Sequence, residues 1–439
     1  MGEAADKQSS GLTNGPMYHD ASMERDRNAP LAVALAAYRE GRAADAYRVA
    51  ADFWSASGDA RAAGLLALLE MEAGRLDSAR TWNDRARAAD PHDARYEIQH
   101  ARLALAGGDC AEAFERFAAR ARAAPHTKGV WSGLTAAARA CDRRAEARRL
   151  CLAACETDPL LAPALRALLE LVADEPPGPA RVTPVAVADR RAISVVTCSV
   201  DDRRFAAMSA SYDRALADWP HEIVRIPDAQ SIAEGYTRGA AAARGELLVF
   251  THDDVEILAP DFGHRLARRL AECDVLGVAG ATRATGPAWP FAGWPHLHGS
   301  VIYPDGEGYR VTVYSLRAPI ARGIVVMDGV FLAARRGTAL AVGWDAETCD
   351  GFHGYDVDFT LRAARAGLRL VVASDLGVVH RSYGSFDDRW QATAIKLAAK
   401  HPELNGVRDK ETGFVPCGVA DATRAMALVD NWARLGERT

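Results

Sequence analysis

The sequence predicts two structural parts: an all-α array of repeated helix pairs, then an α/β domain on a doubly wound, mainly parallel sheet. Three observations carry this. Residues 31–170 are saturated with alanine and arginine and poor in β-branched residues, which favours helix. Prolines and alanines recur there with a period close to 34. After Arg191 the texture changes to short apolar runs alternating with helical patterns, the signature of β-α-β units.

Taken in order, residues 1–28 are polar, lack the apolar stretch of a signal peptide, and read as a disordered leader. Residues 29–175 hold the repeats. Pro91, Pro125 and Pro159 are 34 residues apart, and Ala46, Ala79, Ala113 and Ala147 are 33, 34 and 34 apart. The segments EGRAADA, AGRLDSA, GGDCAEA and CDRRAEA lead into those alanines. A small residue at fixed phase lets two helices approach closely, and proline closes the second helix of each pair. This pattern resembles the tetratricopeptide repeat (TPR) family over about residues 29–160, as four repeats with a capping helix near Pro163–Asp174. The resemblance implies a superhelix with a groove for a protein partner, or a homo-oligomer contact.

Four prolines between Ala173 and Arg191 mark a linker, assigned to 176–190. The α/β domain is expected over 191–405, with a C-terminal extension at 406–439. Its first strands are ISVVTCSV (193–200), EIVRI (222–226) and ELLVFTH (246–252), separated by helices over 205–219 and 231–245. In such sheets ligands sit beyond the carboxyl ends of the strands.

Composition removes several function classes. The formal net charge is -5 without a basic block, which gives no support to a nucleic-acid partner. No apolar run approaches a membrane span, so no transmembrane segment is expected. The eight cysteines include no CxxC; Cys151 and Cys155, spaced i,i+4, read as core residues rather than metal ligands. This usage points to a reducing cytoplasm.

The stretch FTHDDVEIL (250–258) ends an apolar strand in His252, Asp253 and Asp254. Paired carboxylates at a strand end suit either a hard divalent ion or a helix cap. Further along, WDAETCDGFHGYDVDFTLRAARAGLRLVV…GVVH brings a second acidic cluster, a helix and a strand ending in His380. Together with SIAEGYTRG…ARGELLVFTHDDV and MDGVFLAARR, these segments make 191–405 resemble a GT-A-fold glycosyltransferase of the family 2 type. The nearest resemblance is to a bacterial subgroup related to a streptomycin-biosynthesis glycosyltransferase.

That resemblance implies a metal-dependent, inverting enzyme that moves a sugar from a nucleotide-diphosphate donor, of uridine type, to a glycan or protein acceptor. It implies Mn2+ or Mg2+ held by Asp254, His380 and His252, with the histidines favouring manganese. Nucleotide contacts fall to Thr197, Cys198, Ser199, Asp228, Arg238 and Asp253. The catalytic base is Asp356, in GYDVD, where the family's usual glutamate is replaced by Tyr355. Acceptor contacts fall to Asp328, Trp289, Trp294, His298, Tyr355 and Asp358, with His296 beside them. Two other classes compete: a nucleotidyltransferase, disfavoured by the lack of a glycine-rich loop in VTCSVDDRRFAAM, and a non-catalytic repeat scaffold with a degenerate transferase domain.

Overall fold

The computed structural model describes residues 30–178, 183–315, 320–384, 386–406 and 413–436. The leader expected over 1–28 lies outside the described residues. The chain divides into two compact units, 1–150 and 151–439.

The first unit is all helical: α1 (Pro30–Arg39), α2 (Ala43–Ser57), α3 (Ala60–Glu72), α4 (Leu76–Ala89), α5 (Ala94–Ala106), α6 (Cys110–Ala123), α7 (Val130–Ala140) and the start of α8 (Arg144–Thr157). The periodic alanines open α2, α4, α6 and α8, and Ala46, Ala79, Ala113 and Ala147 are each completely buried. That burial is the physical meaning of the period, since a larger side chain at these positions has no room. Aspartates cap α3, α5 and α6: Asp59, Asp93 and Asp109 accept from backbone N–H groups one turn in.

The second unit begins inside α8, ahead of the expected linker. The capping helix α9 (Ala162–Ala173) buries Leu165, Leu168, Leu169, Leu171 and Val172 and packs on elements of this unit. Its strands are β1 (Ile193–Cys198), β2 (His221–Ile226), β3 (Leu247–Thr251), β4 (Val255–Ile257), β5 (Val275–Gly277), β6 (Ala279–Ala281), β7 (Leu297–Asp305), β8 (Gly308–Val313), β9 (Ile320–Arg322), β10 (Val326–Met327), β11 (Phe331–Arg335), β12 (Leu370–Ala373), β13 (Val378–His380) and β14 (Val415–Val419). Its further helices are α10 (Asp202–Ala215), α11 (Ile232–Ala242), α12 (Phe262–Glu272), α13 (Arg336–Val342), α14 (Tyr355–Arg365), α15 (Asp388–Lys400) and α16 (Ala422–Gly436).

The main sheet has the order β2-β1-β3-β11-β5-β12-β9. The first three strands are parallel, as expected. β11, however, runs antiparallel between β3 and β5, and β9 antiparallel beside β12, so the sheet is mixed, with five of seven strands in one direction. Sequence periodicity could not show this, because a buried strand is apolar throughout in either direction. A second sheet, β10-β6-β7-β13-β4, carries β8 and β14 on its flank. The expected extension is thus integral to the unit: β14 pairs with β8, and Asp430 of α16 forms an ion pair with the buried Arg265.

One buried network fixes α14 against α15. Asp358 is 1% exposed and accepts from Lys400 Nζ at 2.6 Å, His401 Nε2 at 2.8 Å and Arg362 Nε at 2.8 Å. Burial alone would raise this carboxyl, but the three partners outweigh it and hold it below its usual range. Asp358→Ala removes the buried acceptor that Lys400, Arg362 and His401 share and should cost roughly 3–5 kcal/mol at neutral pH, read as a lower thermal midpoint. Because the folded pKa is depressed, the wild-type advantage is complete above the unfolded value near 4 and shrinks as pH falls below it. A deficit that persists undiminished in acid would contradict the ion-network account.

Candidate active site

The site forms where β3 ends. The pairing of β4 with β13 sets His380 opposite Val255, and Arg381 N donates to Asp254 O at 3.1 Å. His380 therefore arrives beside His252 and Asp254 although it is far away in sequence. His252 Nδ1 lies 3.3 Å from His380 Nε2, and Asp254 Oδ1 lies 3.5 Å from the same nitrogen. One donor atom from each of the three falls within 4.8 Å of the others.

A tyrosine below sets the orientation of His252. The Tyr355 hydroxyl bridges Gly329 O at 3.2 Å and His252 Nε2 at 2.6 Å. Held by that contact, the imidazole turns Nδ1 toward His380. Burial and the neighbouring His380 lower the pKa of His252, which keeps it neutral. Tyr355 itself is buried against Tyr236 and Trp344, so it supports the site from beneath rather than facing an acceptor as expected.

Asp356 sits beside this cluster at the start of α14. Gly354, in the left-handed region at φ +73°, begins the helix, and a Cβ there would lie 2.5 Å from Leu397. Asp356 Oδ2 accepts from Gly329 N at 2.9 Å. Gly329 is needed for this approach, since a Cβ on it would lie 2.3 Å from the Tyr355 hydroxyl and 2.9 Å from Asp356 Cβ. Asp328 faces the same space, accepting from Trp289 Nε1 and Val330 N, each at 2.8 Å. Burial, with the Asp328 carboxylate close by, pushes the Asp356 carboxyl up to about 7. A carboxyl poised near neutrality can exchange a proton with a bound hydroxyl.

Cys198, Ser199, Asp253, Asp254 and His252 line one crevice of about 380 Å³, walled on the other side by Ile226, Ile232 and Tyr236. Ser199 Oγ donates to Asp253 Oδ2 at 2.8 Å. Burial pushes the Cys198 thiol up to about 12, so it is a neutral wall. Three expected nucleotide residues are not part of this lining. Thr197 is fully buried and points away from the crevice side occupied by Cys198, as strand alternation requires. Asp228 and Arg238 pair with each other on the surface, and Arg238 also holds Glu234 at 3.0 Å.

The expected acceptor residues divide in the same way. Trp289 and Asp328 bond to each other next to Asp356. Trp294 and His298 line a different cleft of about 640 Å³ with His296 and Tyr314. Asp358, expected to meet the acceptor, is buried and committed to Lys400, Arg362 and His401. Sequence reasoning missed Phe352 and Ser382, which also line the crevice, and Gly329, whose N–H meets Asp356. The two glycines that flank GYDVD and MDGVF were the available signal.

With this geometry in place, residues 194–401 match the model of the glycosyltransferase-like family. The α/β part of the chain is therefore glycosyltransferase-like. No curated protein matches the chain. Solved structures that resemble it include Pseudomonas aeruginosa pilF, at 16% identity over 34% of this chain and 69% of that chain, TM-score 0.29. MamA from Desulfovibrio magneticus RS-1 is similar at 16% identity, over 35% of this chain and 84% of that one, TM-score 0.28. A mutant of the Thermobaculum terrenum O-GlcNAc transferase is similar at 21% identity, over 48% and 39%, TM-score 0.27. At these scores the three likenesses carry no functional weight.

A carboxyl whose folded pKa lies above its unfolded value lowers stability as pH rises from about 4 to about 7. Asp356→Asn removes that cost. It should stabilise the fold at pH 8 by no more than about 4 kcal/mol, read as a higher thermal midpoint, and leave the midpoint nearly unchanged at pH 4. An equal effect at both pH values would show that Asp356 does not titrate near neutrality.

Proposed function

We propose that the protein is a metal-dependent glycosyltransferase that moves a sugar from a nucleoside-diphosphate donor to an acceptor hydroxyl with inversion. The observation that carries this is the convergence, at the end of β3, of two imidazoles and a carboxylate beside a second carboxyl raised to about 7. The donor set fits a divalent ion. Ligands about 2.2 Å from an ion and at right angles to each other are about 3.1 Å apart, close to the separations of 3.3 and 3.5 Å found here. Two imidazoles with one carboxylate favour manganese over magnesium.

His252, Asp254 and His380 would hold that ion, whose charge offsets the charge that grows on a departing diphosphate. The crevice of Cys198, Ser199, Ile226 and Tyr236 is assigned to the base and ribose, and Asp253 to the ribose side. Asp356 takes the proton from the acceptor hydroxyl as its oxygen bonds to the anomeric carbon. The bond from that carbon to the diphosphate oxygen breaks, and its electron pair leaves with the diphosphate. Asp328, fixed by Trp289 and Val330, is assigned to a sugar hydroxyl. The helical repeats are assigned to a protein or glycan acceptor, or to a second copy of the chain.

Calorimetric titration with a panel of nucleotide sugars should show binding that EDTA or His380→Ala abolishes. Binding indifferent to chelation would remove the triad from the donor seat. Asp356→Asn should keep donor affinity while transfer falls by about 10²–10⁴, the usual contribution of a general base. The base acts when deprotonated, so the wild-type transfer rate should rise with pH through about 7 and then level off. A rate that is flat between pH 5 and 8 would reject Asp356 as base.

A further inference from the structure

A second depression of about 570 Å³ opens on the same aspartates. It shares Arg204, Asp253, Asp254 and Ser382 with the nucleotide crevice, then runs away from it along α10. Arg203 and Arg204 stand at one end of that helix face and Arg214 at the other. Eleven residues separate Arg203 from Arg214, about 16 Å at 1.5 Å per residue. Ala207 and Ala210 lie between them and keep the floor low. On the opposite wall Arg381 is neutralised by Glu256 at 2.5 Å. Arg203, Arg204 and Arg214, by contrast, enter no ion pair among the described residues, although the first two lie near the exposed Asp201 at the helix start.

The groove's acids are otherwise engaged. Asp253 accepts from Ser199, and Asp254 belongs with the two histidines. Exposed guanidinium groups without carboxylate partners, spaced along a groove, recognise carboxylate, phosphate or sulfate oxygens. Arg203 and Arg214 do not line the crevice assigned to the nucleotide, so their anion is not the donor's base or ribose end.

The geometry points to an anionic acceptor: a molecule bearing carboxylate or phosphate groups lies along α10, with one end at Asp253 and Asp254, against the His252–Asp254–His380 cluster beside which Asp356 stands. This rests on the glycosyltransferase reading for the word acceptor, while the anion site itself does not. The test uses the full chain saturated with UDP and Mn2+, with a fluorescent oligoglucuronate as probe and its neutral oligoglucose counterpart as control. Wild type should bind the acidic probe more tightly than the neutral one, and less tightly as salt rises. Arg203→Ala/Arg214→Ala should weaken that binding about tenfold, and Arg214→Glu at least as much, with UDP affinity unchanged within about twofold. Both sites are exposed, and an unchanged thermal midpoint confirms the fold.

Equal binding of the acidic probe by wild type and variants would overturn the proposal. So would a parallel loss of UDP affinity, which would assign the arginines to the donor's phosphates. If wild type fails to bind UDP at all, the glycosyltransferase reading falls, and the probe arm still decides whether α10 carries an anion site.

Discussion

The antiparallel insertion of β11 between β3 and β5 is the constraint on which the site depends. Its register sets Phe331 opposite Thr251, and Thr251 Oγ1 donates to Val330 O at 3.2 Å. Residues 328–330 are therefore carried to the level of His252, with Gly329 under both Tyr355 and Asp356. Phe331, Leu332, Ala333 and Ala334 are all buried, so the strand cannot slide by one residue without reversing which side chains meet each face. The His252–Asp254 end of β3 and Asp356 are thus brought to the same level by one strand, although they come from segments a hundred residues apart.

Within that frame, local surroundings decide what each acid does. Asp356 and Asp358 are two residues apart on α14, and their carboxyls are driven in opposite directions. Asp358 meets Lys400, His401 and Arg362 and stays ionised. Asp356 meets burial and the carboxylate of Asp328, which together outweigh the backbone N–H groups of Gly329, Asp356 and Val357, and it holds its proton to about neutral pH. Asp328 has two N–H donors, one of them the Trp289 indole.

This separation also explains what could be read from the sequence. The repeat unit was legible because its alanines and prolines act locally, at one helix contact and one helix end. The first three strands were legible because β-α-β alternation is local as well. Asp254 and His380 could be paired only through resemblance, since the β4–β13 register joins distant segments. Asp228 and Arg238 were misplaced because nothing in their spacing reveals that they satisfy each other. Trp294 and His298 shared a composition-rich segment with Trp289, yet the short helical turn at Trp289–Ala292 and the bend after it send them to another cleft. Thr197 and Tyr355 failed on sidedness, which strand pleat and helix phase fix but residue type does not.

Tyr355 is where the departure from the resembled family becomes intelligible. A glutamate at this position would put a third carboxylate within reach of Asp328 and Asp356, in a space where burial already penalises charge. It would also lack the hydroxyl proton that satisfies Gly329 O. The phenol brings no charge, hydrogen-bonds to His252, and fills volume against Tyr236 and Trp344. His252 in turn stands where the resembled motif has an acid. The two replacements fit together: a neutral imidazole at the strand end is oriented by a neutral hydrogen-bonding partner beneath it, and tyrosine supplies one. Exchanging Tyr355 alone for glutamate would add a carboxylate beside Asp328 and Asp356, so the histidine and the tyrosine are coupled: together they leave this buried floor uncharged.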